Sequence, residues 1–210
     1  MTRTLVIDTA TAACSVALFE DGRLIAHAHD VVGRGHAERL VPMIADLPDG
    51  GRADHILVDV GPGSFTGIRV GIAAARALAF GWGAAVAGYG APSLVAVAAL
   101  ADDPAPVVVV MEGGHGEVFV QGFVAPFVAL DGPRSLTPAA ALAMLDGRRA
   151  VGSGLRWLNA LDTAIADVAT LPDARHALLL PAAARALPPA PFYGRAPDAK
   201  LPSAAMAAGA

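Results

Sequence analysis

The sequence passes twice through the same order of secondary-structure signals, and this weak repeat constrains the fold more than any other feature. Residues 1–103 read as a strand ending in an acid, a hairpin, a third strand, a helix, a fourth strand, a glycine turn and a second helix. Residues 104–187 follow the same order, with Asp8 aligned to Glu112 and turn 61–63 aligned to turn 152–154. This alternation favours α/β lobes. We therefore expect two similar lobes, with both glycine turns facing a cleft between them.

Composition narrows the class of protein. The chain has 210 residues, of which 55% are hydrophobic, and a formal net charge of −4, which excludes intrinsic disorder. Because binding to nucleic acid depends on neutralising phosphates, any such contact would have to be local. The single cysteine, Cys14, cannot form an internal disulfide. The first eight residues lack the apolar stretch of a signal peptide, so we expect a cytoplasmic protein.

Two stretches have an unusual composition, namely a long uncharged segment and a segment rich in Pro and Ala. The 25 residues from Ala77 to Ala101 carry no charge, and their length alone would suit a membrane helix. Their glycines and Pro92 instead predict a helix end, a short strand and a new helix, with no membrane segment. Residues 188–210 are rich in Pro and Ala and are expected to form a tail that packs little.

The pattern of polar residues gives little support for catalysis. None of the six histidines falls in an HExxH or HxxxH arrangement, so we predict no tightly bound metal. The sequence lacks the GxSxG motif of a nucleophile elbow. Cys14 stands at the start of a predicted strand rather than on a turn, so nucleophilic catalysis is not expected either.

The turn Gly61–Gly67 allows two interpretations. Its backbone amides precede a predicted helix, where the helix dipole favours anions. It lacks the GK[ST] ending of a Walker A loop, so no lysine reaches a terminal phosphate. The alternative is a tight strand-to-helix turn that needs glycines only for its backbone shape. A weak nucleotide or anion contact would use five residues: Asp8, Thr9, Gly61, Gly63 and Ser64.

The helix predicted from this turn to about Phe80 carries two adjacent stripes of small and apolar residues. One stripe is Gly67, Gly71, Ala74 and Leu78, and the other is Ile68, Ile72, Ala75 and Ala79. One stripe is enough to pack on the helix's own sheet, so the second is expected to receive a partner helix. The predicted partner surface is Gly67, Ile68, Arg69, Gly71, Ile72, Ala75 and Arg76. On this interpretation, Gly71→Leu breaks a complex more than it breaks folding.

Several segments resemble the bacterial TsaB (YeaZ) family. The most specific is the eleven-residue motif GPGSFTGIRVG at residues 61–71, and the segments at 7–18 and 36–44 also match. The segments at 116–120 and 193–199 fit as well, so the resemblance spans most of the chain. One departure is the turn Glu112–His115, where the family usually has an Asp-Ala-Arg-Arg-type sequence. The role of this turn therefore stays open.

The resemblance implies two lobes of the actin, sugar-kinase and heat-shock chaperone ATPase type. It implies a non-catalytic scaffold subunit in the synthesis of threonylcarbamoyladenosine beside the tRNA anticodon. Its direct partner would be the catalytic subunit TsaD, the ATPase TsaE would join them, and tRNA would bind through the complex. TsaC would supply the threonylcarbamoyl-adenylate. No cofactor would bind tightly, ATP would enter through the complex, and a homodimer of the isolated chain remains open.

The alternative is an enzyme, namely a small-molecule kinase or ATPase of the same fold. Asp8 and the glycine turns would then grip the nucleotide, and Asp59 is the one obvious candidate for a catalytic acid in the cleft.

Overall fold

The computed structural model describes residues 1–194, so the predicted elements and family matches at 195–210 lie outside the described residues. The strands in the described part are β1 (Arg3–Asp8), β2 (Ala13–Glu20), β3 (Arg23–Val31), β4 (His55–Asp59), β5 (Ala85–Tyr89), β6 (Val107–Gly114), β7 (Glu117–Val124), β8 (Val128–Ala129), β9 (Arg134–Leu136) and β10 (Arg149–Val151). The α-helices are α1 (His36–Ala45), α2 (Phe65–Trp82), α3 (Ala91–Asp102), α4 (Pro138–Leu145) and α5 (Leu155–Asn159).

The first lobe is built on a five-stranded mixed sheet in the order β3-β2-β1-β4-β5. Strands β1, β4 and β5 run parallel, whereas β2 and β3 are antiparallel to their neighbours. The central residues of β1 and β4 are apolar and buried, because both faces of these strands are covered. Alternate residues such as Ile7 and Val58 face the core shared with α1 and α2, and Val6 and Leu57 face a second core that includes α3.

The second lobe repeats this arrangement in a smaller form. Its sheet has the order β10-β6-β7, and β8 and β9 both pair with β7. Strand β10 is parallel to β6, as β4 is to β1, and β7 is antiparallel to β6, as β2 is to β1. Helices α4 and α5 pack on the sheet through Leu145 and Leu155, while α3 lies between the two lobes. The predicted α/β class with two similar lobes is therefore confirmed.

The chain returns to the first lobe after completing the second. The return segment consists of residues 173–194 and begins with two 3₁₀ helices. Its Ala177 and Leu180 join the core around Tyr89. Leu187 then pairs with Gly88 at the edge of β5. The C-terminal lobe therefore ends before 173 rather than at 187. As expected for a tail that packs little, none of residues 188–194 is buried, although the Phe192 N–H donates to the Val60 carbonyl; residues 195–210 lie outside the described residues.

The uncharged stretch between Ala77 and Ala101 is divided among the end of α2, strand β5 and most of α3, as the glycines and Pro92 predict. Within residues 1–194 no helix is both long enough and apolar enough to cross a membrane.

Candidate functional site and helix surface

A cleft of about 740 Å³ lies between the two lobes. The first lobe contributes the residues that follow β1 and the turn that follows β4, and the second lobe contributes the β6–β7 turn. The lining residues are Ala10, Thr11, Ala12, Gly33, Arg34, Gly63, Ser64, Phe65, Glu112, Gly113, Gly114, His115, Ser153 and Tyr193. Both glycine turns thus contribute to the cleft, as the repeat predicts.

Only two of the five residues predicted to contact a nucleotide or anion reach this cleft. Gly63 and Ser64 line it, whereas Asp8, Thr9 and Gly61 are buried behind the turn. The Thr9 hydroxyl donates to the Gly67 carbonyl at 2.8 Å, so it holds the turn against β1. The expectation that Asp8, Thr9 and Gly61 contact a ligand is therefore wrong in this conformation, because the turn itself covers them.

Close packing explains the glycines of the turn. A Cβ at Gly63 would meet the Ala10 carbonyl, and one at Gly67 would meet the Thr9 carbonyl. Gly61 has a φ of +101° and lies against the carbonyl of Phe192. Of the two interpretations that the sequence left open, the requirement for backbone shape therefore accounts for these three glycines.

The second lobe contains a related close approach. There the Gly154 N–H donates to the Val110 carbonyl at 2.9 Å, while the Ser64 N–H donates to the Ala10 carbonyl at 2.7 Å. A Cβ at Gly152 would meet the same Val110 carbonyl. Both turns thus pack closely against the first strand of their lobe or the residues that follow it, although the positions that meet are not the aligned ones.

Three polar side chains meet beneath the first turn, at the carboxyl ends of the parallel strands. Asp8 and Asp59 end β1 and β4, and both are fully or almost fully buried, with exposed fractions of 0% and 1%. The Tyr89 hydroxyl, from β5, donates to Asp8 Oδ2 at 3.1 Å and lies 3.1 Å from the Ile7 carbonyl oxygen. The Gly61 N–H donates to Asp59 Oδ1 at 2.7 Å.

The two carboxyls hold a proton more tightly than ordinary aspartates. They contact each other, and the remaining oxygens, Asp8 Oδ1 and Asp59 Oδ2, receive no donor from residues 1–194. Burial raises the pKa of Asp8 to about 6. Burial and the adjacent Asp8 carboxylate raise the pKa of Asp59 well above its ordinary value. A proton shared by the pair gives both oxygens a partner.

In this conformation Asp59 therefore does not reach the cleft, where the kinase hypothesis requires a catalytic acid. Its side chain lies under the turn, is almost fully buried and is committed to Asp8 and to the Gly61 N–H. The turn would have to open before this carboxyl could touch a ligand. Tyr89, which completes the cluster, was not selected from the sequence, and its position at the end of a parallel strand was the available signal.

The second-lobe side of the cleft is polar. Glu112 forms an ion pair with Arg156 at 2.7 Å, and its backbone N–H donates to the Ser153 hydroxyl at 3.1 Å. His115 lies on the turn with a φ of +55°. Among residues 1–194 no three His, Cys, Asp or Glu side chains come together as a candidate metal site.

Helix α2 packs into its own lobe with both of its stripes. Gly67, Ile68, Gly71, Ile72 and Ala75 are all buried. A Cβ at Gly71 would lie 2.5 Å from the Thr9 hydroxyl. Because α2 contacts both β4 and α1, neither stripe is left for a partner. The predicted partner surface is therefore wrong for these five residues.

The opposite face of α2 is exposed. It presents Arg69 and Arg76, the two members of the predicted surface that remain accessible, together with Ala73 and Ala77. Phe80, at the end of this face, is 93% exposed, and Val41 on the neighbouring α1 is 58% exposed. This set of residues (Val41, Arg69, Ala73, Arg76, Ala77 and Phe80) is called the outer helix face below. Apolar side chains exposed together on one helix face, as Ala73, Ala77 and Phe80 are, are typical of an interaction surface.

Comparison with known proteins connects this architecture to one family. A family model described as "TsaD: tRNA N6-adenosine threonylcarbamoyltransferase" matches residues 30–130. The chain is 47% identical over 87 residues to "tRNA threonylcarbamoyladenosine biosynthesis protein TsaB" of Escherichia coli, covering 38% of this chain and 36% of that protein. The protein of the same name from Haemophilus influenzae is 44% identical over 82 residues, covering 37% and 34%.

Structural similarity extends over most of the fold. The solved structure of YeaZ from Pseudomonas aeruginosa superposes with a TM-score of 0.72 at 29% identity, covering 85% of this chain and 90% of that one. In both sequence and fold, the chain is therefore similar to the TsaB (YeaZ) family. Its sequence match spans about a third of the length of the curated TsaB relatives, 36% and 34%.

Proposed function

We propose that the chain is a non-catalytic scaffold subunit in the synthesis of threonylcarbamoyladenosine in tRNA. It binds the catalytic subunit TsaD through the outer helix face, TsaE joins the complex, and tRNA and ATP are bound by the assembly. The proposal follows the names of the TsaB relatives and the TsaD family model. It places the chain in the cytoplasm.

One observation carries the proposal. The acids at the strand ends, Asp8 and Asp59, are buried beneath the glycine turn, while Phe80 is 93% exposed at the end of the outer helix face. The two acids that could act on a nucleotide thus do not reach the cleft, whereas the large apolar side chain of Phe80 is exposed to solvent. This arrangement favours binding of another protein over catalysis by the isolated chain.

Co-purification with TsaD of the same organism tests the interface. Phe80→Asp replaces the most exposed apolar side chain of the proposed contact with a charge and should weaken binding at least tenfold, on the order of a hot-spot residue. Its melting temperature should stay near that of the wild type because the ring is exposed. Val168→Asp is the matched control, since Val168 is 68% exposed on the second lobe. Equal binding of TsaD by both variants would place the interface elsewhere.

The enzyme alternative has its own test. Calorimetry of the isolated chain with ATP and Mg²⁺ should give weak binding, because Arg34 is the one arginine or lysine among the described residues that line the cleft. Steady ATP hydrolysis by the chain alone, lost in Asp59→Asn, would support the kinase or ATPase interpretation instead. The scaffold role also predicts that a strain lacking the gene loses threonylcarbamoyladenosine from its tRNA. Returning the wild-type gene should restore the modification.

A further inference from the structure

The last described residues form a strap that crosses the first lobe and ends on helix α2. The strap, residues 187–194, begins where the Gly88 N–H donates to the Leu187 carbonyl at 2.7 Å. It continues past the carboxyl end of β4, where the Phe192 N–H donates to the Val60 carbonyl at 2.8 Å. Gly194 then lies against Pro62 and against Phe119 of the second lobe. The strap is thus held at three points along its length.

Both arginines of α2 bind this strap. Arg76 Nη2 donates to the Pro189 carbonyl at 2.8 Å, and Arg69 Nε donates to the Tyr193 hydroxyl at 2.9 Å. The Arg69 guanidinium also lies over the Phe65 ring, 3.6 Å from its centroid, and the Phe65 and Tyr193 rings are 4.9 Å apart. Arg69 is therefore fixed by one hydrogen bond and a stacked ring, although it stands on an exposed face.

Fixing an arginine in advance has a consequence for binding. An arginine side chain has about 2 kcal/mol of rotamer entropy, part of which is lost when a partner immobilises it. Tyr193 uses only Nε of Arg69, and a guanidinium has five N–H donors, so others remain to bind a carboxylate. The sequence of α2 contains two arginines and no acid. The charge on this helix thus fits a partner that carries an acidic side chain.

We propose that Tyr193 is a positioning residue for partner binding. It holds Arg69 in the orientation in which the guanidinium meets a carboxylate on the partner, on the same face of α2 as Phe80 but about three helical turns before it. This inference rests on the proposed function, because the partner used to test it is TsaD. It adds the chemistry of the contact, namely an acidic residue on the partner, and it makes the strap a part of the binding surface.

The test measures TsaD binding by the full-length chain and three variants. Tyr193→Phe keeps the stacked ring and removes the hydroxyl, so the Kd should rise about three- to tenfold, the range of a single hydrogen bond. Arg69→Gln should weaken binding at least as much and make it less sensitive to salt. The double variant should bind like Arg69→Gln alone, because Tyr193 acts through Arg69. Melting temperatures of all three should stay close to that of the wild type.

Each alternative outcome is distinct. Additive losses in the double variant, or a Kd unchanged by Tyr193→Phe, would overturn the positioning role. A fall in melting temperature that parallels the loss of binding would make Tyr193 a structural residue and would also overturn it. Failure of the wild-type chain itself to bind TsaD would instead count against the proposed function. Leu161→Ala, on an exposed side chain of the second lobe, is the control that should change neither measurement.

Discussion

At the scale of single residues, the most consequential feature is the buried pair Asp8 and Asp59. Isolated buried carboxylates are costly, and this pair reduces the cost by holding a proton and by accepting hydrogen bonds from Tyr89 and Gly61. The pair therefore connects three parallel strands to the turn that begins α2. It is a structural joint beneath the cleft rather than a part of the cleft lining.

This joint predicts a pH dependence. The folded protein holds a proton on the pair more tightly than the unfolded chain does. Burial raises the pKa of Asp8 to about 6, and burial also raises the pKa of Asp59 well above its ordinary value. The stabilisation is complete below the ordinary aspartate pKa of about 3.9 and is lost as pH rises through the folded values. The free energy of unfolding should fall by up to about 1.4 kcal/mol per pH unit in that window.

Urea denaturation between about pH 5 and pH 8 measures this slope. Asp59→Asn imitates the protonated acid, with its amide donating to Asp8, and should flatten the profile. Asp167→Asn, at an exposed aspartate, should leave the wild-type slope unchanged. An Asp59→Asn profile as steep as the wild type would show that the proton is bound elsewhere.

At the scale of secondary-structure elements, helix α2 has two faces with different roles. Ser64 caps its N-terminus by accepting from the Gly67 N–H at 3.2 Å, and Gly83 ends it in a left-handed conformation. Its inner face is closely packed, with Gly71 against Thr9 Oγ1, Val58 and Ile7. Its outer face carries Ala73, Ala77 and the exposed Phe80.

A leucine scan of the two faces should separate these roles. Gly71→Leu would overpack the inner face and cost about 1–3 kcal/mol or more in unfolding free energy. This replaces the expectation from the sequence that Gly71→Leu mainly breaks a complex. Ala73→Leu puts the same side chain on the outer face and should melt near the wild type. Thermal melts followed by circular dichroism decide between them, and a normal melt for Gly71→Leu would contradict the packing described here.

The sequence predicts much of the order of strands and helices, and the elements and contacts that it misses have physical causes. Apolar periodicity and glycine turns predict the order of the main strands and helices, including the limits of α1 and α2 to within a few residues. The three-residue strand β9 was not predicted because it is too short to show alternation. The inner face of α2 was underestimated because the sequence does not reveal that α1 covers the second stripe. Tyr193 meets Arg69 across 124 residues, a separation that local patterns cannot report.

At the scale of the whole molecule, the return segment joins the two ends of the chain. Leu180 packs in the core around Tyr89 and Leu94, although more than eighty residues separate these positions in sequence. The Ser15 hydroxyl accepts from the Ala174 N–H at 3.0 Å and so fixes the start of the segment to β2. The first lobe is therefore discontinuous in sequence.

Two neighbouring leucines test this contribution. Leu180 is 1% exposed and Leu179 is 53% exposed. Leu180→Ala should lower the free energy of unfolding by about 2–5 kcal/mol, whereas Leu179→Ala should change it by about 0.5 kcal/mol or less. Denaturant titration of both proteins gives the comparison. Similar values for the two variants would mean that the return segment adds little to the first lobe.

The discontinuity also sets a limit on folding during translation. A ribosome delivers about 5–20 residues per second, and residues 173–194 leave it after the whole second lobe. Until then Phe19 and Tyr89 lack the cover that Leu180 gives them, and the edge of β5 lacks its pairing with Leu187. The half of the protein that is synthesised first is thus completed last.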